Sequence, residues 1–386
     1  MINKHAICPG VRWHIIPHGP GDGLGSKYHT QDGETDEFSH ENLPGGNNND
    51  ASQLYDWRSH ALMVKFVGSE DVDPFHLFET AEKKRPNDKA GSESWNTLEQ
   101  LVSYTHELFT RQHRSHLFQL VVVGDTARFI RWDSMGAIVS APFNYIDDSK
   151  PLVRFLWIYG RMSPAHRGWD MSAENPSENE QQTFRAVIRD WIDRHGSDKA
   201  VEQRFPGAEL TLDERFPTYK LTVEPARGMG IREELVIQRP FYQSYSSQAI
   251  GPVTRAYLAY SPTESQVVFY KSGWRVEADG LGDTSGYVAE VYKPLTENVG
   301  STSAVLCAGD VTYQGTPTRA VFDRWTNKTD EARYGTCTNP RSYVLYRIVQ
   351  RITYPVQWLS SSRQFTSVLH DCFIGTAYHF PWNVHR

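Results

Sequence analysis

The sequence predicts an α+β chain in two parts, and three observations lead there. Residues 51 to 175 pass from a short apolar run, through an amphipathic periodic segment, to a hairpin, which is the order of an α/β module. A capped helical stretch follows near residue 177. From about 235 the pattern turns to short β-branched and aromatic runs punctuated by Gly251-Pro252 and Ser261-Pro262-Thr263-Glu264. With 386 residues there is room for two domains or three. The divisions read as an irregular arm over 1–50, the α/β module over 51–175, a bracing helix and linker over 176–234, and a strand-rich lobe over 235–386.

The elements follow in order. His18-Gly19-Pro20-Gly21-Asp22-Gly23 and Pro44-Gly45-Gly46-Asn47 are breaker clusters, so the first 50 residues read as loops. Ala61-Leu62-Met63-Val64-Lys65-Phe66-Val67 is a strand. Asn96 stands three residues before Glu99, a helix-cap signal, and Leu98, Leu101, Val102, Thr105, Leu108 and Phe109 recur at helical spacing after it. Leu117–Val123 and Ala127–Trp132 flank Gly124-Asp125-Thr126 as a hairpin. Ser177 with Glu180 is a capping box, Phe184, Val187, Ile188, Trp191 and Ile192 share one helical face, and Gly196 ends that helix. Strands are expected at Leu235–Arg239, Thr254–Tyr260, Gln266–Lys271, Ala320–Phe322 and Tyr343–Ile348. Helices are expected over Gly286–Leu295 and Arg363–Phe380.

Charge and cysteine usage narrow the function classes. A formal net charge of -6 and a pI near 6.2 argue against bulk nucleic-acid binding, which requires a basic face. Cys8, Cys307, Cys337 and Cys372 form no C-x-x-C pair and read as reduced thiols. Met1 to His18 has no long apolar run and no stretch approaches a membrane span, so an intracellular protein, cytoplasmic or nuclear, is expected.

Three residues in the second half belong to one chemistry. Lys271 lies on the run Val267-Val268-Phe269-Tyr270-Lys271-Ser272-Gly273-Trp274-Arg275, Glu290 lies on the expected helix, and Gly251 sits in the turn before the Thr254 strand. Phosphoryl transfer depends on electrostatic positioning: a strand lysine for the α/β-phosphates, a helix carboxylate to aim it, and glycine N–H groups near phosphate oxygens. The chain ends His385-Arg386, and in that chemistry the residue after His-Arg is the catalytic aspartate.

On these residues the chain resembles the fungal-type protein kinase family. Tyr257-Leu258-Ala259-Tyr260 and the lysine run ending in Trp274-Arg275 resemble its small-lobe signature. Gly309-Asp310-Val311 and Leu369-His370-Asp371-Cys372 resemble segments further along. Ala127–Ala137, containing Arg131-Trp132-Asp133, and Met162–Asp170, containing Arg167-Gly168-Trp169-Asp170, resemble the region before the lobe. The resemblance implies a kinase small lobe with the start of a large lobe over 235–386, ATP and Mg as cofactors, and Ser/Thr-type phosphorylation. Lys271, Glu290 and Gly251 would hold the nucleotide.

The departures imply loss of activity. No aspartate follows Arg386, and Pro252 removes an N–H from the glycine turn. The expectation is a catalytically incompetent chain, with no catalytic and no metal-binding residue. The alternatives are a pseudokinase-like binding or regulatory module, engaging a protein partner through an exposed lobe interface, or a truncated gene product. In the first half, Met63-Val64-Lys65 parallels the acid-x-Lys element of metal-dependent nucleases, but a thioether cannot replace a carboxylate on a hard metal. The module therefore reads as degenerate restriction-nuclease-like. His106, His113 and His116 read as surface or capping residues. The two Arg/Trp/Asp segments read as aromatic–guanidinium stacks that fix loops.

Overall fold

A computed structural model describes residues 11–17, 35–41, 60–68, 73–75, 89–196, 202, 205–214, 216–226, 230–243, 253–276, 305–316, 318–326, 342–352, 362, 363 and 366. The chain divides into two units. Unit 1 takes 1–171, 247–251 and 316–338, and unit 2 takes 172–246, 252–315 and 339–386.

Unit 1 is built on one mixed sheet. Its strands are β1 (Val11–Pro17), β2 (Thr35–Glu41), β3 (His60–Val67), β4 (His116–Val123), β5 (Thr126–Asp133), β6 (Gly136–Val139) and β7 (Phe143–Asn144). They lie in the order β1-β2-β3-β4-β5-β6, with β7 beside β5. β3 and β4 are parallel, joined through α1 (Lys89–Arg111), and every other pairing is antiparallel. Hence β2 and β5 run against β1, β3 and β4. The apolar stretch Ala61–Val64 of β3 is buried on both faces. Met63, Leu117, Val121, Ile130 and Trp132 pack under Leu101, Tyr104 and Leu108 of α1. Leu62, Val64, Leu120 and Val122 pack on the opposite face against Leu156 and Tyr159 of α2 (Lys150–Tyr159). Three layers, helix on sheet on helix, result.

Unit 2 is an eight-stranded antiparallel sheet. Its strands are β8 (Ala173–Glu174), β9 (Tyr219–Val223), β10 (Glu233–Ile237), β11 (Tyr242–Gln243), β12 (Thr254–Ser261), β13 (Gln266–Val276), β14 (Val305–Gly315) and β15 (Tyr343–Arg351). The order is β14-β15-β13-β12-β10-β9-β8, with β11 beside β12. Helix α3 (Glu178–His195) covers part of it. Ser177 and Glu180 form the predicted capping box, and the Lys220 ammonium lies 2.9 Å from Glu180 and 3.0 Å from Glu234. Lys220, with the Ser177 hydroxyl and N–H, holds the Glu180 carboxyl well below the usual range, at about 2. These bonds tie the start of α3 to β9 and β10.

Four expectations need correction. The arm over 1–50 contains β1 and β2, because an antiparallel partner on the β3 edge overrides the weak local pattern. Helix α1 begins at Lys89, so Asn96 and Glu99 are interior residues rather than a cap. Ala320–Phe322 belongs to a helix, α4 (Thr318–Thr326), which falls in unit 1. Helix α3 is part of the core of unit 2 rather than a brace. The hairpin, the capped helix and the strands at 235, 254, 266 and 343 stand where the sequence puts them.

Candidate functional site

Lys271 sits near the middle of β13, between Ala256 of β12 and Ile348 of β15 in register. Its side chain is exposed. Side chains alternate along a strand, so Val267, Phe269 and Lys271 share one face. That face is occupied at its apolar end: Val236, Leu258, Val267 and Phe269 pack against Phe184, Ile188 and Trp191 of α3. A chain of rings continues the cover. Trp191 meets Phe205 at 5.6 Å, Phe205 meets Phe241 at 5.2 Å, and Phe241 meets Phe269 at 6.2 Å between centroids. Lys271 therefore projects at the edge of an apolar plug.

The two residues expected to work with Lys271 cannot be placed beside it. Glu290 and Gly251 lie outside the described residues, as do His385-Arg386, the Gly286–Leu295 helix and most of Arg363–Phe380. What the fold does bring together is Arg275 and Asp310, from two segments singled out separately in the sequence. Arg275 Nε donates to Asp310 Oδ1 at 2.9 Å, and Nη2 bonds the other oxygen, forming a bidentate pair. Neither spacing nor periodicity signals this pair, because 35 residues and an intervening strand order separate its members. Gly309, beside Asp310, is required sterically: a Cβ there would stand 2.3 Å from the Glu224 carbonyl oxygen. Cys307, two residues earlier, is a buried free thiol that donates to the Val223 carbonyl, and burial pushes its pKa up to about 12. It is an inert core group.

In unit 1, Lys65 is fully buried on β3, two residues from Met63 and opposite Asp36 in the β2 register. Where a nuclease would place a carboxylate, Met63 packs within the α1-side core. The Gln119 amide donates to Met63 Sδ (3.6 Å), the Leu101 carbonyl (3.2 Å) and Thr105 Oγ1 (3.1 Å), and accepts from Trp132 Nε1 at 2.7 Å. This polar knot closes the space beside Met63. Arg128, further along the same face, is paired with Asp73 at 2.8 Å. Among the described residues no group of three His, Cys, Asp or Glu side chains is arranged to hold a metal ion.

His113 is buried rather than on the surface, and His116 and the Arg/Trp/Asp segments make contacts the sequence did not specify. Arg131 and Asp133 pair at 3.2 Å, but Trp132 points into the core. The buried Asp133 carboxylate also receives the Thr318 N–H and hydroxyl at the start of α4. Trp169 is stacked by Arg114, 3.6 Å above the ring, and Arg167 lies 5.1 Å over the Tyr159 ring. His116 bonds Ser115 Oγ through Nδ1 and donates from Nε2 to the His166 carbonyl, both at 3.0 Å.

Burial, and then the Arg131 guanidinium, pull the His116 pKa from 6.5 down to about 4. The native state thus holds His116 neutral where the unfolded chain protonates it. Its contribution is fully present above pH 6.5 and is lost as pH falls from 6.5 towards 4. Unit 1 is expected to be about 2 kcal/mol less stable at pH 5 than at pH 7. Urea midpoints at the two pH values check this, and His116→Gln should flatten the difference.

Comparisons with family models, with curated proteins and with solved structures find no match to this chain. No helix among the described residues is long and apolar enough to cross a membrane.

Proposed function

We propose that unit 2 is a protein-kinase-type small lobe that serves as a binding module and does not itself transfer phosphoryl groups. The observation that carries the reading is the strand order around Lys271. In a kinase small lobe the lysine stands on the third strand, a helix follows it, and the fourth and fifth strands return to the sheet. Here β12 and β13 form a hairpin, Lys271 lies on β13, and the chain returns as β14 and β15, with β15 inserted beside β13. The bidentate Arg275–Asp310 pair locks β13 to β14 across that insertion.

The same geometry argues against chemistry. ATP bound at Lys271 would lay its base along the apolar part of the lysine-bearing face. Phe269 and α3 already fill that part, and the aromatic chain from Trp191 to Phe269 seals it. Among the described residues this arrangement does not fit a nucleotide, and no catalytic step is assigned to Lys271, Glu290 or Gly251. Isothermal titration with ATP, with and without Mg, tests this: no saturable heat is expected up to millimolar nucleotide. Mg-ATP turnover on a generic Ser/Thr substrate, abolished by Lys271→Ala, would overturn the proposal.

For unit 1, a degenerate nuclease-type scaffold is the reading supported best. Its support is the sheet order with β2 and β5 reversed, together with Lys65 on β3 facing Asp36 in register. Met63 and the Gln119 knot stand against metal-dependent cleavage. The protein should leave plasmid DNA intact in Mg or Mn. Cleavage lost on Lys65→Ala would refute this.

A further inference from the structure

Helix α2 buries Leu156 and Tyr159 in unit 1 and turns other large side chains outward. Val153 is 44 % exposed, Trp157 50 % and Ile158 38 %, and Ile146, on the turn before the helix, is 62 % exposed. The rows Val153–Trp157–Arg161 and Arg154–Ile158 advance by four residues, so these groups form one continuous face. Arg161 lies over the Trp157 ring at 4.0 Å and donates to the Trp157 carbonyl at 3.3 Å, which presents ring and guanidinium together. Arg154 is exposed on the same side, and the helix sequence contains no carboxylate.

An exposed tryptophan between two arginines has the composition of an interface anchor, since Trp and Arg dominate binding hot spots. The charge pattern selects the partner. Carboxylates complement Arg154 and Arg161, and an apolar side chain complements Trp157 and Val153 between them. We propose that this face of α2 docks an acidic segment of a partner protein, with an aromatic or aliphatic residue seated on Trp157 between carboxylates that meet the two arginines.

An anionic membrane fits less well. Over residues 146–161 the three cations Lys150, Arg154 and Arg161 are offset by Asp147 and Asp148, and the excess is a single charge. At about 1 kcal/mol per basic residue near an anionic surface, that gives weak adhesion. Nucleic acid is disfavoured for the same reason, because affinity there grows with the number of phosphates neutralised.

A displayed library of random dodecapeptides, selected on the full chain and counter-selected on the Arg154→Glu/Arg161→Glu double variant, tests the proposal. The expected result is enrichment of sequences that combine Asp or Glu with Phe, Leu, Ile or Trp. The best of them should bind at least tenfold more weakly to the double variant and to Trp157→Ala, and more weakly as salt rises. All three positions are exposed, so unchanged circular dichroism should show that the variants fold. Failure to enrich any sequence, enrichment of basic sequences, or equal binding to the double variant would overturn the proposal. So would sedimentation of the chain with vesicles of 70:30 phosphatidylcholine:phosphatidylserine in an Arg154- and Arg161-dependent manner.

Discussion

Phe184→Ala is expected to lower the stability of unit 2 by about 4 kcal/mol, the range for truncating a fully buried aromatic residue. Phe184 is the first large side chain of α3 to enter the sheet, beside Val236, Leu258 and Val267. Its loss removes the transfer free energy of the ring and leaves a cavity that backbone hydrogen bonding in the sheet prevents from collapsing. The lower edge of α3 would remain fixed by the capping box and by Lys220, so the helix should stay formed while its packing loosens. Thermal unfolding followed by circular dichroism should show the affected transition about 10 °C lower. Phe184→Leu, which keeps most of the volume, should cost less than half as much. The same pair of variants separates two roles for α3. If the plug beside Lys271 is what excludes nucleotide, Phe184→Ala should acquire weak ATP binding that Phe184→Leu lacks. A Phe184→Ala chain as stable as the parent would show that α3 does not hold this face.

How much of this was readable beforehand follows from where the information is stored. The α3 cap was legible because its signal is local: Ser177 and Glu180 satisfy each other within one turn. The β4–β5 hairpin was legible because its turn and its alternation lie within eighteen residues of sequence. The strands β12, β13 and β15 were legible as β-branched and aromatic runs, and Lys271 was correctly placed on one of them. Pairing was not legible. β1 and β2 carry no strong pattern; β3 offers an edge to β2, and β2 in turn offers one to β1. The Ala320–Phe322 stretch satisfies strand propensity, but Asp133 supplies an acceptor for the first N–H of a helix there, and that contact spans 185 residues. The site divided in the same way. Residue types and order suggested a lysine-centred pocket. The filling of its apolar side by Trp191, Phe205 and Phe241 comes from three separate segments that only the fold assembles.

Arg114→Ala is expected to destabilise unit 1 by about 2–3 kcal/mol, through lost buried hydrogen bonds and the lost stack on Trp169. Arg114 is almost fully buried between β4 and the segment 163–170. Its Nη2 donates to the His60 carbonyl at 2.9 Å, and its Nη1 donates to the carbonyls of Ala61 at 3.2 Å and Arg167 at 3.4 Å. Above it lies the Trp169 ring at 3.6 Å. Alanine would remove one of two donors from each carbonyl at the start of β3, since Gln112 Nε2 still reaches His60 at 3.0 Å and the Tyr159 hydroxyl still reaches Ala61, and it would remove the stack on Trp169. The loop cannot relax to repair this. Gly168 has φ 96°, and a Cβ there would lie 1.8 Å from the His116 carbonyl oxygen, so the segment is held tightly against β4. Tyr159 shares the load, since its hydroxyl also donates to the Ala61 carbonyl at 2.7 Å. Lysine should not rescue: one ammonium cannot span three carbonyls or lie flat on Trp169. Urea denaturation at pH 7 should therefore rank wild type above Arg114→Lys, and Arg114→Lys at or only slightly above Arg114→Ala. Full stability in Arg114→Lys would show that a positive charge alone is needed there, and would assign the stack on Trp169 no structural weight.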